Sequence, residues 1–167
     1  MKKIFIYFFL FLLSCNSVTE KAIHYNNKLV YNQNILIKLM DNIDLCLKDT
    51  ACDVKFFYDS AVKLNTILIE EAVNLEPFEG DTMFKYKYKQ LLYEYLLVLQ
   101  KNYKKIIDLH KLLEKKIYSI NDDSLTKILT IFKELYDDLN NRIEKVNLDF
   151  KEYQKKFAEK YNFKLEY

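Results

Sequence analysis

A chain of 167 residues with one glycine, Gly80, and one proline, Pro77, has almost none of the residues that tight turns require. Hairpin turns need a positive or a preset φ, which glycine and proline supply, and a sheet needs such turns repeatedly. The chain is therefore expected to use few turns and long helices. No stretch of four or more residues alternates apolar and polar positions as a half-buried strand does. At this length the chain is the size of one domain and can bury a core.

Apolar spacing divides it into four amphipathic stretches. In the first, Ala22, Leu29, Leu36 and Ile43 recur every seven residues, widened by Val30, Leu39, Met40 and Leu47. Ser17-Val18-Thr19-Glu20 reads as a capping box at its start. Thr50-Ala51-Cys52-Asp53 offers a cap for the second stretch, where Val54, Ala61, Leu68 and Leu75 repeat with Phe57, Leu64 and Ala72 between them. Pro77 to Gly80 ends it. Asp81 or Thr82 caps a third, whose face reads Phe84, Tyr88, Leu91, Tyr95, Leu99, Ile106, Leu113 and Ile117. After a break at Asn121–Ser124, a fourth carries Leu125, Phe132, Leu139, Val146 and Tyr153, with Leu129, Tyr136, Ile143, Phe150 and Phe157 between. These features predict an all-α fold, an up-down-up-down four-helix bundle with longer third and fourth helices. A single long coiled coil is the alternative, which the wide stripes and short loops disfavour.

The N-terminus carries a different signal. Lys2 and Lys3 precede an unbroken apolar run from Ile4 to Leu13. That run is too short for a membrane-spanning helix, which needs about 20 apolar residues, and suits an export signal. Leu12-Leu13-Ser14-Cys15 closes it and resembles the lipobox of bacterial lipoproteins. The resemblance implies diacylation of the Cys15 thiol, cleavage before Cys15 and acylation of the new amino group, a stable anchor by chain count. It divides the chain into residues 1–14 as signal, 15–18 as lipidated tether and 19–167 as helical domain. An ordinary signal peptide or a short uncleaved anchor is the alternative. Asn16 lacks the aspartate associated with inner-membrane retention, which favours the outer membrane.

Two cysteines remain, Cys46 and Cys52, between the first two helices. In an oxidising compartment an even pair reads as a disulfide. Metal binding would need two more ligands, and redox catalysis a C-x-x-C.

Other chemistry is hard to find. His24 and His110 sit in neither a di-iron nor a zinc pattern. One glycine leaves no room for a phosphate loop or a nucleophile elbow. The acidic pairs Glu70-Glu71, Asp122-Asp123 and Asp137-Asp138 splay by about 100° on a helix and do not converge. The chain has 26 basic and 24 acidic residues, and loss of Lys2 and Lys3 leaves 24 of each. Such neutrality argues against nucleic acid, and Lys85–Lys89 reads as lysines snorkelling beside core tyrosines. No cofactor is expected beyond the lipid on Cys15, and no catalytic residue.

Two regions invite a functional reading. The hairpin of the longer helices is expected to overhang the disulfide-stapled turn by roughly ten residues, about 15 Å. Its end carries Ile107, Leu112, Ile117, Tyr118, Ile120, Ile128 and Ile131, more directions than two helices can bury between them. A protein-binding tip or a dimer contact is expected there, unless the helix breaks near Asn121 and folds back. At the opposite end Tyr25, Asn26, Gln33, Gln154, Tyr161 and Asn162 are expected to form a polar network setting helix register, or a small-ligand pocket.

The spacings Y-N-x-x-L-V-x-x-Q from Tyr25 to Gln33 and Q-x-x-F-A-x-x-Y-N from Gln154 to Asn162 resemble a family of small helical surface lipoproteins of Gram-negative bacteria. The resemblance implies a surface lipoprotein built as a helical bundle, with no catalytic residues to carry over. The expected protein is thus a non-enzymatic envelope or surface lipoprotein, tethered by lipid, with a host or envelope protein as partner. The oligomeric state is left open, and a carrier of a small apolar ligand held between the helices is the alternative.

Overall fold

The computed structural model describes residues 2–49, 51–116 and 122–165, and it is all-helical: among them the one strand-like feature is an isolated bridge between Phe78 and Asp81. In chain order the elements are α1 (Lys2–Cys46), α2 (Val54–Asn74), α3 (Thr82–Val98), a π turn (Leu99–Tyr103), α4 (Lys104–Lys116) and α5 (Asp122–Lys160).

Caps and turns follow the local chemistry. The Asp53 carboxylate accepts from the Phe56 amide at 3.0 Å and starts α2. Between α2 and α3 the Asp81 amide donates to the Phe78 carbonyl at 2.7 Å. The two central residues of that turn, Glu79 and Gly80, have φ of 47° and 77°, the sign pattern of a type I′ turn. The chain's one glycine thus occupies one of these positive-φ positions. Asp81 then accepts from the Met83 amide at 3.1 Å and caps α3.

The end of α5 is a Schellman motif. Asn162, at φ 63°, is the left-handed residue; its amide donates to the Glu159 carbonyl, and the next amide, Phe163, donates to Ala158. Asn162 therefore serves as a cap, and the register network expected to include it does without it.

α1 departs from the sequence expectation. It runs unbroken through Ser17–Glu20, so no cap forms there while the leader run precedes it. The Thr19 hydroxyl instead donates to the Tyr161 carbonyl at 3.0 Å, tying α1 to the end of α5. Among the described residues no helix is long and apolar enough to cross a membrane.

The core is the set of stripes read from the sequence. Ala22, Leu29, Leu36 and Ile43 of α1 are buried, as are Ala61, Leu68 and Ala72 of α2. They meet Phe84, Tyr88, Leu91, Tyr95 and Leu99 from α3 and the π turn, and Leu139, Val146, Phe150 and Phe157 from α5. Near the α2–α3 turn the rings of Phe84 and Phe157 stack at 4.5 Å, with Tyr25, Phe78 and Tyr161 around Phe157.

Candidate functional site

Burial stops abruptly at one end of the molecule. Ile107 on α4 is buried at 5% exposure, and the next buried residue on the far side of the hairpin is Leu139. Every residue with a described side chain between them is exposed or half-buried. Both helices keep apolar residues through this stretch; Phe132, Leu135 and Tyr136 are half-buried and pack against the core, while Leu112, Leu125 and Leu129 are exposed.

The expected tip residues divide accordingly. Leu112 is exposed, and Ile128 and Ile131 are half-buried. Leu125 and Leu129 join them on α5, Leu129 at 54% exposure. Ile107 is a correction: it faces the core and belongs to the bundle. Ile117, Tyr118 and Ile120 lie outside the described residues. Leu45 and Phe56, flanking the turn between α1 and α2, are also largely exposed.

Cys46 and Cys52 in that turn lie at disulfide distance, with Cα atoms 5.0 Å apart. Cys15 falls within α1. His24 is exposed, and His110 is half-buried with Nδ1 3.5 Å from the Glu114 carboxylate. Among the described residues no cluster of three His, Cys, Asp or Glu side chains is placed to hold a metal.

A set of polar contacts joins the π turn to α1, α3 and α5. The π turn brings two consecutive polar residues, Asn102 and Tyr103, inside. With Leu99 and Ile106 they stand at the i, i+3, i+4 and i+7 positions of one helix face. The Asn102 amide nitrogen donates to the Leu135 carbonyl at 2.9 Å and to the Asp138 carboxylate at 3.1 Å. Arg142 holds that same carboxylate and reaches Glu94 on α3 at 3.3 Å. Asn102 and Arg142 draw the Asp138 carboxyl below the usual carboxylate range, the Asn102 hydrogen bond contributing most.

On the other side the Tyr103 hydroxyl donates to Asp44 of α1 at 2.9 Å, and Tyr136 of α5 donates at 3.4 Å. Burial pushes the Asp44 carboxyl up, and the two tyrosine hydroxyls pull it partly back. Burial first, and then the Asp44 charge, raises Tyr136 to about 12 and Tyr103 further. Both phenols therefore stay protonated and act as donors at neutral pH.

Lower in the bundle the Asn147 side-chain oxygen accepts from Gln33 at 3.1 Å and from Tyr95 at 2.5 Å. One α5 residue thus ties α1 to α3 across the core. Of the residues expected at this end to set register, Gln33 does so, with Tyr95 and Asn147 as its partners. Tyr25 and Tyr161 instead join the aromatic cluster, their hydroxyls reaching the Glu76 and Phe78 carbonyls at 3.4 Å. Asn26 is buried and donates to Asn27, and Gln154 is half-buried.

Sequence reasoning missed Asp44, Asn102, Tyr103 and Asn147. Their one signal is that Asn102 and Tyr103 stand three and four residues after Leu99, and Ile106 follows at seven, which places both on the core face. Compared with protein-family models, curated proteins and solved structures, the chain matches none of them.

Proposed function

We propose that the chain is a non-enzymatic, lipid-anchored protein of the cell envelope that presents a two-helix hairpin to a protein partner. In this reading Cys15 carries the lipid after cleavage of residues 1–14, and the outer membrane is the anchoring membrane. α1, α2, the α3–α4 helix and α5 run up-down-up-down. With the anchor at the start of α1, the turn between α1 and α2 and the α4–α5 hairpin then point away from the membrane.

The observation that carries the proposal is the exposure of Leu112, Leu125 and Leu129, apolar residues on the stripes of α4 and α5, beyond Phe132, Leu135 and Tyr136, which still pack against the core. An apolar face of this kind, rimmed by charge and held at its base by a polar clasp, is the usual form of a protein-docking surface. A carrier of an apolar ligand would need free space between the helices, and there the side chains of Phe84, Tyr88, Tyr95, Tyr103 and Phe150 fill the interior.

The test is a photo-cross-linking residue at position 129 in the full-length protein in its native cells, combined with protease shaving of intact cells. A discrete adduct that disappears with Leu112→Asp or Leu125→Asp, while the fold is kept, supports a docking tip. Absence of an adduct, or one indifferent to both substitutions, overturns it. Loss of the domain on shaving places the partner outside the cell; protection places it within the envelope.

A further inference from the structure

The α4–α5 hairpin divides its charge between its two helices. Over 104–115, α4 sets Lys104, Lys105, Lys111 and Lys115 against Asp108 and Glu114, all of them exposed. Over 122–137, α5 sets Asp122, Asp123, Glu134 and Asp137 against Lys127 and Lys133, again all exposed. Four against two in each case makes α4 basic by two charges and α5 acidic by two. Among the described side chains no ion pair joins the two helices: His110 faces Glu114 along α4, and Lys133 pairs with Asp137 along α5.

The base of the hairpin fixes its register. The Asn102 amide nitrogen donates to the Leu135 carbonyl, and Tyr103 and Tyr136 share the Asp44 carboxylate. Both helices rise by about 1.5 Å per residue from there. Lys104 then stands level with Glu134, and Lys115 with Asp123. Between them the exposed Leu129 and Leu125 stand level with the half-buried Leu109 and Leu113. Lys105 and Lys111 fall level with Lys133 and Lys127, so opposite signs are matched at the two ends of the stretch and apolar groups in its middle.

We propose that the occupant of this face is a second copy of the chain, the two hairpins lying face to face about a two-fold axis parallel to their helices. The proposal rests on the reading of the tip as a docking surface and names what docks there. Two facing hairpins can be related by either of two axes lying between them. An axis across the helices sets α4 on α4 and α5 on α5, like charge on like, which disfavours that pairing. An axis along the helices sets α4 of each copy on α5 of the other at unchanged heights. Lys115 and Lys104 then meet Asp123 and Glu134 of the second copy, and Leu125 and Leu129 cover its Leu113 and Leu109. Each contact occurs twice, and four helices with antiparallel neighbours close over the apolar groups. The same axis points both hairpins one way, as two copies tethered to one membrane require. An unrelated partner would need no such division of charge between the helices.

The test is photo-cross-linking from position 129 in native cells that carry two differently tagged copies of the full-length protein. An adduct of twice the chain mass that holds both tags is expected. Lys104→Glu with Lys115→Glu makes both helices acidic, and Asp123→Lys with Glu134→Lys makes both basic. Either variant alone should lower the adduct about tenfold or more, since like charge then meets like. Expressed together, the acidic and the basic variant should recover an adduct that holds one of each, which a misfolded chain could not do. An adduct of another mass overturns the second copy as occupant and leaves the tip a docking surface for something else. No adduct at all overturns both readings. A doubled adduct that ignores the substitutions, or that mixing the variants does not restore, overturns the two-fold arrangement.

Discussion

Removing the Tyr103 hydroxyl should destabilise the protein by an amount that depends on pH, because its partner is a carboxylate. The hydroxyl donates to Asp44 at 2.9 Å from a ring that is 2% exposed, and Tyr136 supplies a longer second bond at 3.4 Å. A hydrogen bond to a charged group contributes about 1.5–3 kcal/mol. Asp44 is only half-buried and Tyr136 remains, so Tyr103→Phe should cost about 1.5–2 kcal/mol at neutral pH. Once Asp44 is protonated the lost bond is neutral, and the cost should fall to about 0.5–1 kcal/mol.

The Asp44 carboxyl is raised above 3.8 in the folded protein, burial being the main cause. Its contribution to stability is therefore fully present below that unfolded value and is lost as pH rises through the folded one. Losing Tyr103 as a donor raises the folded value further, so the variant gains more than the wild type on acidification. Urea denaturation followed by far-UV circular dichroism, at neutral pH and at about pH 3, measures both costs. Equal costs at the two pH values, or a cost under about 0.5 kcal/mol at neutral pH, would refute a charged hydrogen bond at this junction.

Other substitutions probe the rest of the architecture. Phe157→Ala removes a ring that is 2% exposed and packed on Phe84, Phe78 and Tyr161, and should lower stability by about 3–5 kcal/mol in the same assay. Replacing both Cys46 and Cys52 by serine should cost about 2 kcal/mol, the chain-entropy value for so short a loop, and added reductant should then have no further effect. Asp81 is pushed up by partial burial but drawn lower overall by Lys160 and by the Met83 and Phe84 amides, so its contribution is present above the unfolded value and fades as pH falls through the folded one. Asp81→Asn should accordingly reduce the loss of stability on acidification, read as a smaller shift of the thermal midpoint between neutral and acidic buffer.

The starts of α2 and α3 and the turn between them can be read from residues because those boundaries are made by local chemistry. Asp53 and Asp81 cap helices where the sequence placed caps, and the chain's single proline and glycine sit in the turn between α2 and α3. Ala22, Leu29, Leu36 and Ile43 recur every seven residues and are all buried. The same periodicity on α5 brings Leu139, Val146 and Phe157 into the core yet leaves Leu125 and Leu129 exposed. A stripe records which face of a helix is apolar, and whether another helix covers that face is a tertiary fact it cannot contain. Ile107 was placed at the tip for this reason and belongs to the core.

The π turn leaves no mark in the apolar spacing, because Asn102 and Tyr103 fall on the same helix face as Leu99 and Ile106 with or without it. Asp44 and Asn147 were equally silent: each looks like an ordinary polar helix position until residues far along the chain, Tyr103 and Tyr136 or Gln33 and Tyr95, arrive beside it. Cap residues act on near neighbours and show in sequence; polar core contacts act across the bundle and do not.

The tether at Cys15 orients the whole proposal, and intact-mass spectrometry of the protein extracted from membranes of its native host tests it most directly. The account predicts a chain that begins at Cys15 and carries the added mass of a diacylglyceryl group, with or without a further acyl chain. A chain that keeps residues 1–14, or one with an unmodified Cys15 thiol, would contradict it and leave the hairpin with no defined direction from a membrane.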